Sequence, residues 1–216
     1  MTVKIVGFEV SPGVLSVMMC LHELGVPYQI ENPASWQALK DEDFIANKHP
    51  FYNNYSGKIP VLCDGDYTIT ETRAICRYLV SKYQGKYNDT ILIPNDVHKA
   101  GLVDQYISYE YSYYTPPVAK LVVEEVFHKT SNPELVETSQ KEIDKVLNVY
   151  EKLLNGKEYL NGEFSLADVL HISYTHFIFS STKYADWWNK KPNVKQWWDR
   201  ISNRDCWKKC VEKIKF

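Results

Sequence analysis

The sequence has no large excess of either charge, no long hydrophobic run and no recognisable leader segment. Its 25 basic residues stand against 27 acidic residues, which gives a formal net charge of −2. Nucleic-acid-binding proteins usually carry a clear basic excess, so we expect no nucleic-acid partner. No apolar run approaches the ~18 residues that a membrane-spanning helix needs. The first residues are typical of a strand and not of a signal peptide. We therefore predict a cytoplasmic protein without membrane association.

Paired-cysteine and metal-binding motifs are also missing. The five cysteines lie at positions 20, 63, 76, 206 and 210, and no pair has Cys-x-x-Cys or zinc-ribbon spacing. This distribution favours reduced thiols in a reducing compartment. His171 and His176 are five residues apart, which is not the i, i+4 spacing of a helical metal pair. We assign both histidines structural roles and predict no metal site.

The first part of the chain has the pattern of a small α/β domain. Apolar segments over 3–8 and 26–30 indicate two strands, and the run over 14–24 between them indicates a helix. Ser11 before Pro12 has the form of a helix N-cap followed by proline at the first helical position. A strand, a helix and a second strand in this order predict a right-handed parallel βαβ unit.

A hairpin and a helix follow this unit. Two short apolar segments, 59–63 and 67–70, are joined by Asp64-Gly65-Asp66, a strong hairpin signal because Asp and Gly tolerate positive φ. A helix is predicted over 72–83. The order of the domain is therefore βαβ and then ββα.

Turn-rich composition separates this domain from a helical remainder. We place the first domain at 1–83, a linker at 84–96 and an all-helical domain at 97–216. Ser165-Leu166-Ala167-Asp168 has the form of a capping box that opens a helix, with a role in the fold and not in chemistry. The clearest helical face has six apolar members: Ile143, Val146, Leu147, Tyr150, Leu153 and Leu154.

Four local motifs in this order resemble the cytosolic glutathione transferases over essentially the whole chain. They are Ser11-Pro12, Ile59-Pro60, Glu71-Thr72-Arg73-Ala74-Ile75 and Ser165-Leu166-Ala167-Asp168. The stretches 114–127 and 145–151 resemble the phi class. The resemblance implies a thioredoxin-like N-terminal domain and an all-α C-terminal domain. It also implies a cytoplasmic homodimeric detoxification enzyme that uses glutathione as a cosubstrate and needs no further cofactor.

The resemblance gives Ser11 the catalytic role. Its hydroxyl would donate a hydrogen bond to the glutathione sulfur and stabilise the thiolate that attacks a hydrophobic electrophile. The residues just before it, 7–10, contain no tyrosine or cysteine, which disfavours the tyrosine-type and cysteine-type classes. Local sequence alone leaves an alternative, in which Ser11 is an ordinary N-cap before Pro12.

The resemblance also assigns the residues that bind the peptide. Thr72 would hold the γ-glutamyl carboxylate at a helix N-terminus and Glu71 would pair with the ammonium group. The backbone at Ile59 would pair with the cysteinyl part of the peptide, beside a cis Pro60. On position alone, Glu71 and Thr72 are also common in any first helical turn, and Pro60 also suits the start of an edge strand.

Three departures from the phi pattern affect the glycyl end of the peptide. Leu39 stands where the family usually has histidine, although Lys40 beside it is kept. Five residues, 52–56, are inserted in the following loop, and Lys58 replaces a peptide-contacting glutamine. We assign Lys40 and Lys58 to the glycyl carboxylate and expect weakened or altered affinity for glutathione.

The electrophile pocket is expected between apolar residues of both domains. Five tyrosines crowd into 106–114, which suits flat organic substrates but also suits interior packing or a dimer interface. The predicted pocket residues are Val10, Pro12, Trp36, Tyr113, Tyr114, Pro117 and Leu121.

Two other functions remain open at this stage. The same fold serves as a non-catalytic carrier of hydrophobic ligands or as a docking module, and fold alone does not fix function. Glutathione-dependent reduction of peroxides would use the same thiolate and differs only in substrate.

Overall fold

The structure is a computed structural model that describes residues 2–48, 57–130, 132–212 and 214. The chain divides into two compact units. The first comprises residues up to Thr90 together with Cys210–Ile214, and the second comprises residues 91–209. The predicted linker at 84–96 is therefore shared between the two units.

The first unit contains a four-stranded sheet in the order β2-β1-β3-β4. β1 is parallel to β2, and β3 is antiparallel to both of its neighbours. The elements are β1 Val3–Val6, α1 Pro12–Glu23, β2 Tyr28–Glu31, a 3₁₀ turn at Ala38–Lys40, α2 Glu42–Lys48, β3 Val61–Asp64, β4 Tyr67–Thr70 and α3 Thr72–Tyr83. This confirms the predicted βαβ and ββα order. The strands β1, β2 and β3 begin or end up to two residues away from the predicted limits.

Helix α1 forms the centre of the first unit because its residues are apolar on nearly every face. Ten of its twelve residues are buried, and it packs against α3. Gly7 permits β1 to approach this helix, since a Cβ at Gly7 would lie 2.6 Å from Cγ2 of Val14. The sheet and the helix therefore hold the β1–α1 loop in a fixed position.

A buried carboxylate joins the hairpin to α3. Asp64 on β3 accepts hydrogen bonds from Tyr78 at 2.8 Å, Lys82 at 2.6 Å and Tyr83 at 2.6 Å. Burial alone would raise the pKa of Asp64, but these three hydrogen bonds outweigh it and hold the pKa below its usual value. The network fixes α3 against the sheet at the end opposite Thr72.

All regular elements described in the second unit are helices. Its helices are α4 Val97–Tyr109, α5 Thr115–Val122, α6 Pro133–Leu153, α7 Leu166–Ser181, α8 Asp186–Asn189, α9 Pro192–Ser202 and α10 Asp205–Val211, whose last two residues belong to the first unit. The π-helical segment Glu110–Tyr114 joins α4 to α5, and a second one, Val123–Phe127, extends α5, so that all four form one continuous helical run. Within the described residues no helix is both long and apolar enough to cross a membrane.

The predicted face of α6 and the predicted capping box are confirmed. Ile143, Leu147 and Tyr150 are buried. At the start of α7, Asp168 accepts a hydrogen bond from the backbone N–H of Ser165 at 2.9 Å. The second oxygen of Asp168 accepts one from Nε1 of Trp197 at 2.8 Å. The motif therefore caps α7, as its sequence indicates, and the structure shows that it also ties α7 to α9.

Candidate functional site

Ser11 lies at the end of a tight turn that leads from β1 into α1. Its backbone N–H donates to the carbonyl of Phe8 at 2.9 Å, and its own carbonyl accepts from the N–H of Leu15 at 2.9 Å, which starts the helix. Ser11 is 8% exposed. Although Ser11 occupies the N-cap position, its hydroxyl makes no capping hydrogen bond to the first turn of α1. The ordinary N-cap alternative therefore describes its backbone but not its side chain.

The peptide bond between Ile59 and Pro60 is cis, as the resemblance implies. Pro60 is buried and directly precedes β3, which is an inner strand between β1 and β4. The alternative in which Pro60 begins an edge strand is therefore wrong.

Gly13 marks the point where three segments meet. A Cβ built on Gly13 would lie 2.8 Å from Oγ1 of Thr72 and 2.9 Å from Cδ of Pro60. Those distances leave no room for a side chain, so the first turn of α1 packs directly on the cis proline and on the first residue of α3. The fold therefore brings together three predicted residues that are far apart in the sequence: Ser11, Pro60 and Thr72.

Glu71 has an unusual backbone conformation at the start of α3. Its φ is 69° and its ψ is 113°, in a region that residues with a side chain rarely adopt. Such a conformation costs roughly 1–3 kcal/mol and persists only where the surrounding structure enforces it. The Glu71 side chain is exposed and does not cap α3. Its exposed carboxylate is therefore next in the chain to Thr72, which is half-buried at the N-terminus of α3.

Lys40 and Lys58 lie next to a short backbone contact. The N–H of Gly57 donates to the carbonyl of Leu39 at 2.6 Å, and a Cβ on Gly57 would lie 2.6 Å from that same oxygen. Leu39 is only 5% exposed, whereas Lys40 and Lys58 are both exposed. Leu39 thus fills the interior where the family usually has histidine. The insertion at 52–56 lies outside the described residues.

The predicted electrophile residues of the first unit differ in exposure. Trp36 is 53% exposed, Val10 is half-buried and Pro12 is buried. Phe8, which the sequence analysis did not select, contacts the Trp36 ring with 4.4 Å between ring centroids. No local sequence pattern signals that contact, because the two residues lie on different loops.

The predicted electrophile residues of the second unit are mostly interior. Tyr114 is 1% exposed, and its hydroxyl bonds Oγ1 of Thr175 at 2.6 Å and Nε1 of Trp188 at 3.0 Å. Pro117 and Leu121 on α5 are also buried. This placement favours the packing alternative for Tyr114.

Tyr113, by contrast, is 61% exposed. It lines a groove of about 470 Å³ together with Tyr109 and five residues of α6: Lys145, Val146, Val149, Tyr150 and Leu153. Consecutive tyrosines therefore have opposite placements in this helical run.

His171 belongs to the interior network of the second unit. Its Nδ1 lies 2.7 Å from the carbonyl of Ala167, so this nitrogen carries the proton. The other nitrogen, Nε2, then accepts from the hydroxyl of Tyr150 at 2.9 Å. His176 contacts the ring of Trp207, with 5.3 Å between ring centroids. Across the described part of the chain, no group of three or more His, Cys, Asp or Glu residues is arranged to hold a metal ion.

Comparisons with known proteins cover nearly all of the sequence. Residues 1–81 match the glutathione S-transferase N-terminal domain family, and residues 114–205 match the glutathione S-transferase C-terminal domain family. Glutathione S-transferase F10 of Arabidopsis thaliana is 37% identical over 201 residues, which span 91% of this chain and 90% of that protein. A probable glutathione S-transferase of Oryza sativa subsp. japonica is 34% identical over 96% of this chain and 94% of its own length.

Solved structures agree with these sequence matches. Poplar glutathione transferase F1 superposes with a TM-score of 0.89 at 31% identity, covering 98% of this chain and 97% of that one. Glutathione S-transferase I from maize, in complex with an atrazine glutathione conjugate, gives a TM-score of 0.86 at 29% identity, with 98% and 97% coverage. Together with the thioredoxin-like sheet and the helical second unit, these matches show that the chain belongs to the glutathione S-transferase family, in its phi class.

Proposed function

We propose that this glutathione transferase uses Ser11 to activate the glutathione thiol for attack on hydrophobic electrophiles. The observation that carries the proposal is the meeting of three segments at Gly13, where the turn of Ser11, cis Pro60 and Thr72 come together. The Ser11 hydroxyl is not used for capping and so is available as a donor.

The strength of one hydrogen bond is sufficient for this role. A free thiol has a pKa of about 8.5, so only a few per cent is thiolate at neutral pH. A hydrogen bond to a charged group contributes about 1.5–3 kcal/mol, which corresponds to a decrease of roughly one to two units in the thiol pKa. The N-terminus of α1 adds a favourable partial positive charge. The thiolate then forms a carbon–sulfur bond to the electrophile, and the leaving group departs with the bonding electron pair.

Each part of the peptide has a proposed partner. Thr72 binds the γ-glutamyl carboxylate and Glu71 binds the ammonium group, while the backbone of Ile59 pairs with the cysteinyl part. The exposed lysines 40 and 58 bind the glycyl carboxylate. The maize relative, crystallised with an atrazine glutathione conjugate, supports a cosubstrate of this type.

Val10, Pro12, Trp36 and Tyr113 are proposed to contact the electrophile. Three buried residues, Tyr114, Pro117 and Leu121, are proposed to support this site from the interior. We further propose a homodimeric, cytoplasmic detoxification enzyme that uses glutathione as its cosubstrate, without a nucleic-acid or membrane partner. Light scattering in solution tests the dimer.

Replacing Ser11 by alanine tests the mechanism. We expect kcat/KM for conjugation of an aryl halide to fall about eight- to twenty-fivefold at neutral pH, because the thiolate loses its donor and its fraction drops to a few per cent. The pKa of bound glutathione, followed through the ultraviolet absorbance of the thiolate, should rise in the same variant. The deficit in rate should shrink at alkaline pH, where the thiol ionises without help.

Ser16→Ala is the matched control, because Ser16 is another buried serine of α1 and its hydroxyl bonds the carbonyl of Pro12 at 3.2 Å. It should keep the wild-type rate. Equal activity of Ser11→Ala and the wild type would overturn the role of Ser11. A wild-type protein that neither turns over the aryl halide nor binds to immobilised glutathione would instead support the carrier alternative.

A further inference from the structure

A polar groove of about 320 Å³ lies between α5 and the first half of α6. None of its lining residues belongs to the proposed glutathione or electrophile sites. Small-molecule sites have volumes of roughly 300–1,000 Å³, so this α5–α6 groove has room for a ligand about the size of one amino acid. It is lined by Lys120 of α5, by the N-cap residue Asn132 and by five residues of α6: Glu134, Leu135, Thr138, Ser139 and Glu142.

Ser139 is a buried polar residue whose hydroxyl opens on the α5–α6 groove. It is only 2% exposed. Helical hydroxyls often donate to the carbonyl four residues earlier, as Thr175 does to His171 at 2.7 Å, but the Ser139 hydroxyl bonds to no residue that the structure describes. Among the described residues, the one fully enclosed side-chain oxygen without a partner is Oδ1 of Asn161, so the Ser139 oxygen is in contact with the groove. Because a buried hydroxyl without a partner is unfavourable, this one is available to a group that enters.

The α5–α6 groove also carries charges of both signs. Lys120, Glu134 and Glu142 are exposed, and none of them forms an ion pair with another described residue. Elsewhere on the same helix, Glu137 pairs with Lys141 at 2.6 Å. Because one ammonium group stands with two carboxylates, the charges of the groove complement a ligand with one carboxylate and two cationic groups.

The spacing of the two glutamates suits a short, linear ligand. Glu134 and Glu142 are eight residues apart on α6, which corresponds to about 12 Å along the helix axis. Their flexible side chains can therefore reach cationic groups at the two ends of a small molecule. Leu135 and the methyl group of Thr138 lie between them along the helix and supply apolar surface for a methylene chain.

We propose that the α5–α6 groove binds a free basic amino acid, arginine or lysine. Lys120 binds the α-carboxylate of the ligand, and the hydroxyl of Ser139 donates to it. Glu134 binds the α-ammonium group and Glu142 binds the cation of the side chain. A basic residue within a peptide has neither a free α-ammonium nor a free α-carboxylate group, so the free amino acid is the ligand that uses all three charges. This inference does not depend on the proposed function of Ser11.

The test titrates the full chain with L-arginine and follows the backbone amide chemical shifts by NMR, with sodium chloride at matched ionic strength as the reference. The amides of the groove should shift and saturate, which gives a dissociation constant. Three analogues each remove one charged group of arginine. Citrulline lacks the side-chain cation, agmatine lacks the carboxylate and Nα-acetylarginine lacks the ammonium group. Each should bind about two- to fivefold more weakly than arginine, the range typical of exposed charge pairs.

Variants of the groove should reproduce the effects of these analogues. Lys120→Gln should weaken arginine about two- to fivefold and leave agmatine unchanged, because agmatine has no carboxylate to lose. Glu142→Gln should weaken arginine by a similar factor and leave citrulline unchanged. Ser139→Ala should weaken arginine about two- to tenfold. The same variant should resist urea as well as the wild type does, since the hydroxyl has no partner in the described part of the fold.

The matched control is Glu137→Gln. Glu137 is an exposed glutamate of the same helix that pairs with Lys141 and does not line the groove. This variant should bind arginine as the wild type does. A wild-type protein whose shifts with arginine do not exceed those with sodium chloride would overturn the site. Equal affinity for arginine and citrulline, or groove variants that bind arginine like the control, would overturn the assignment of a basic amino acid.

Discussion

At the scale of single residues, Lys40 and Lys58 illustrate how a backbone contact can bring charges together. Each lysine directly follows one partner of the hydrogen bond between Leu39 and Gly57, whose donor and acceptor are 2.6 Å apart. Two flexible ammonium groups are therefore anchored at one point of the surface. Lysine acts as a point charge without fixed hydrogen-bond geometry, so recognition of a carboxylate here depends mainly on charge.

Removing either lysine should weaken glutathione binding without slowing the chemical step. We expect Lys40→Ala and Lys58→Ala each to raise KM for glutathione about two- to fivefold, the range typical of exposed charge pairs. The wild-type KM should also rise with added salt, since salt screens exposed charges, and the double variant should lose most of this salt dependence. Steady-state kinetics at varied glutathione and salt concentrations measure both effects.

Lys86→Ala provides the control, because Lys86 is an exposed lysine of the same unit that lies over the Tyr83 ring. It should preserve the wild-type KM and its salt dependence. If the double variant binds glutathione as tightly as the wild type at low salt, the glycyl carboxylate has other partners.

At the scale of elements, the packing of α1 on cis Pro60 and Thr72 depends on the missing side chain of Gly13. Gly13→Ala would place a methyl group 2.8 Å from Oγ1 of Thr72 and 2.9 Å from Cδ of Pro60, and the proline ring has little freedom to move. We expect α1 to shift away from both. The free energy of unfolding should fall by about 1–3 kcal/mol, as for other overpacked sites. Conjugation activity should fall as well, because Ser11 moves with the helix.

Gly101→Ala separates this steric effect from the general effect of adding a methyl group to a helical glycine. Gly101 lies within α4, and a Cβ there would meet nothing within 4 Å. This variant should be more stable than the wild type by about 0.4–1 kcal/mol, because alanine favours the helix. Urea unfolding measures both variants. If Gly13→Ala is as stable and active as the wild type, the three segments are not as tightly packed as the distances indicate.

Features that depend on neighbouring residues could be predicted from the sequence, whereas contacts between distant segments could not. The family, the order of strands and helices and the capping box of α7 are confirmed, because turn residues, caps and apolar periodicity act over a few neighbouring positions. The role of Leu39 as an interior residue was not predictable, since it depends on its contact with Gly57 in a distant loop. The same holds for the contact between Phe8 and Trp36.

Tyr113 and Tyr114 show a different limit. Helical periodicity assigns residues to faces at 3.6 per turn, but these two tyrosines lie in the π-helical segment Glu110–Tyr114. A π-helical segment inserts extra backbone into the turn and changes the angular position of the residues around it. Sequence reasoning could therefore expect a pocket tyrosine here without determining that Tyr114 is interior and Tyr113 exposed.

At the scale of the whole molecule, the stability of the fold should depend on pH through the partly buried His176. Burial lowers the pKa of His176 to about 4 in the folded state, from a usual value near 6.5. Between these two pH values the unfolded chain binds a proton that the folded chain does not. The contribution of His176 to the free energy of unfolding is therefore fully present above about pH 6.5 and decreases as the pH falls toward 4.

This difference in proton binding predicts a measurable loss of stability in mild acid. Between pH 7 and pH 5 the contribution of His176 should fall by about 2 kcal/mol, somewhat less if solvent reaches the ring. His176→Phe keeps an aromatic ring beside Trp207 but cannot bind a proton. The difference in free energy of unfolding between wild type and variant, measured by urea denaturation at several pH values, should change by that amount. Subtracting the variant's free energy of unfolding from that of the wild type removes the effect of the other histidines. Parallel pH profiles for the two proteins would contradict the prediction, because they would show that the pKa of His176 is the same in the folded and the unfolded chain.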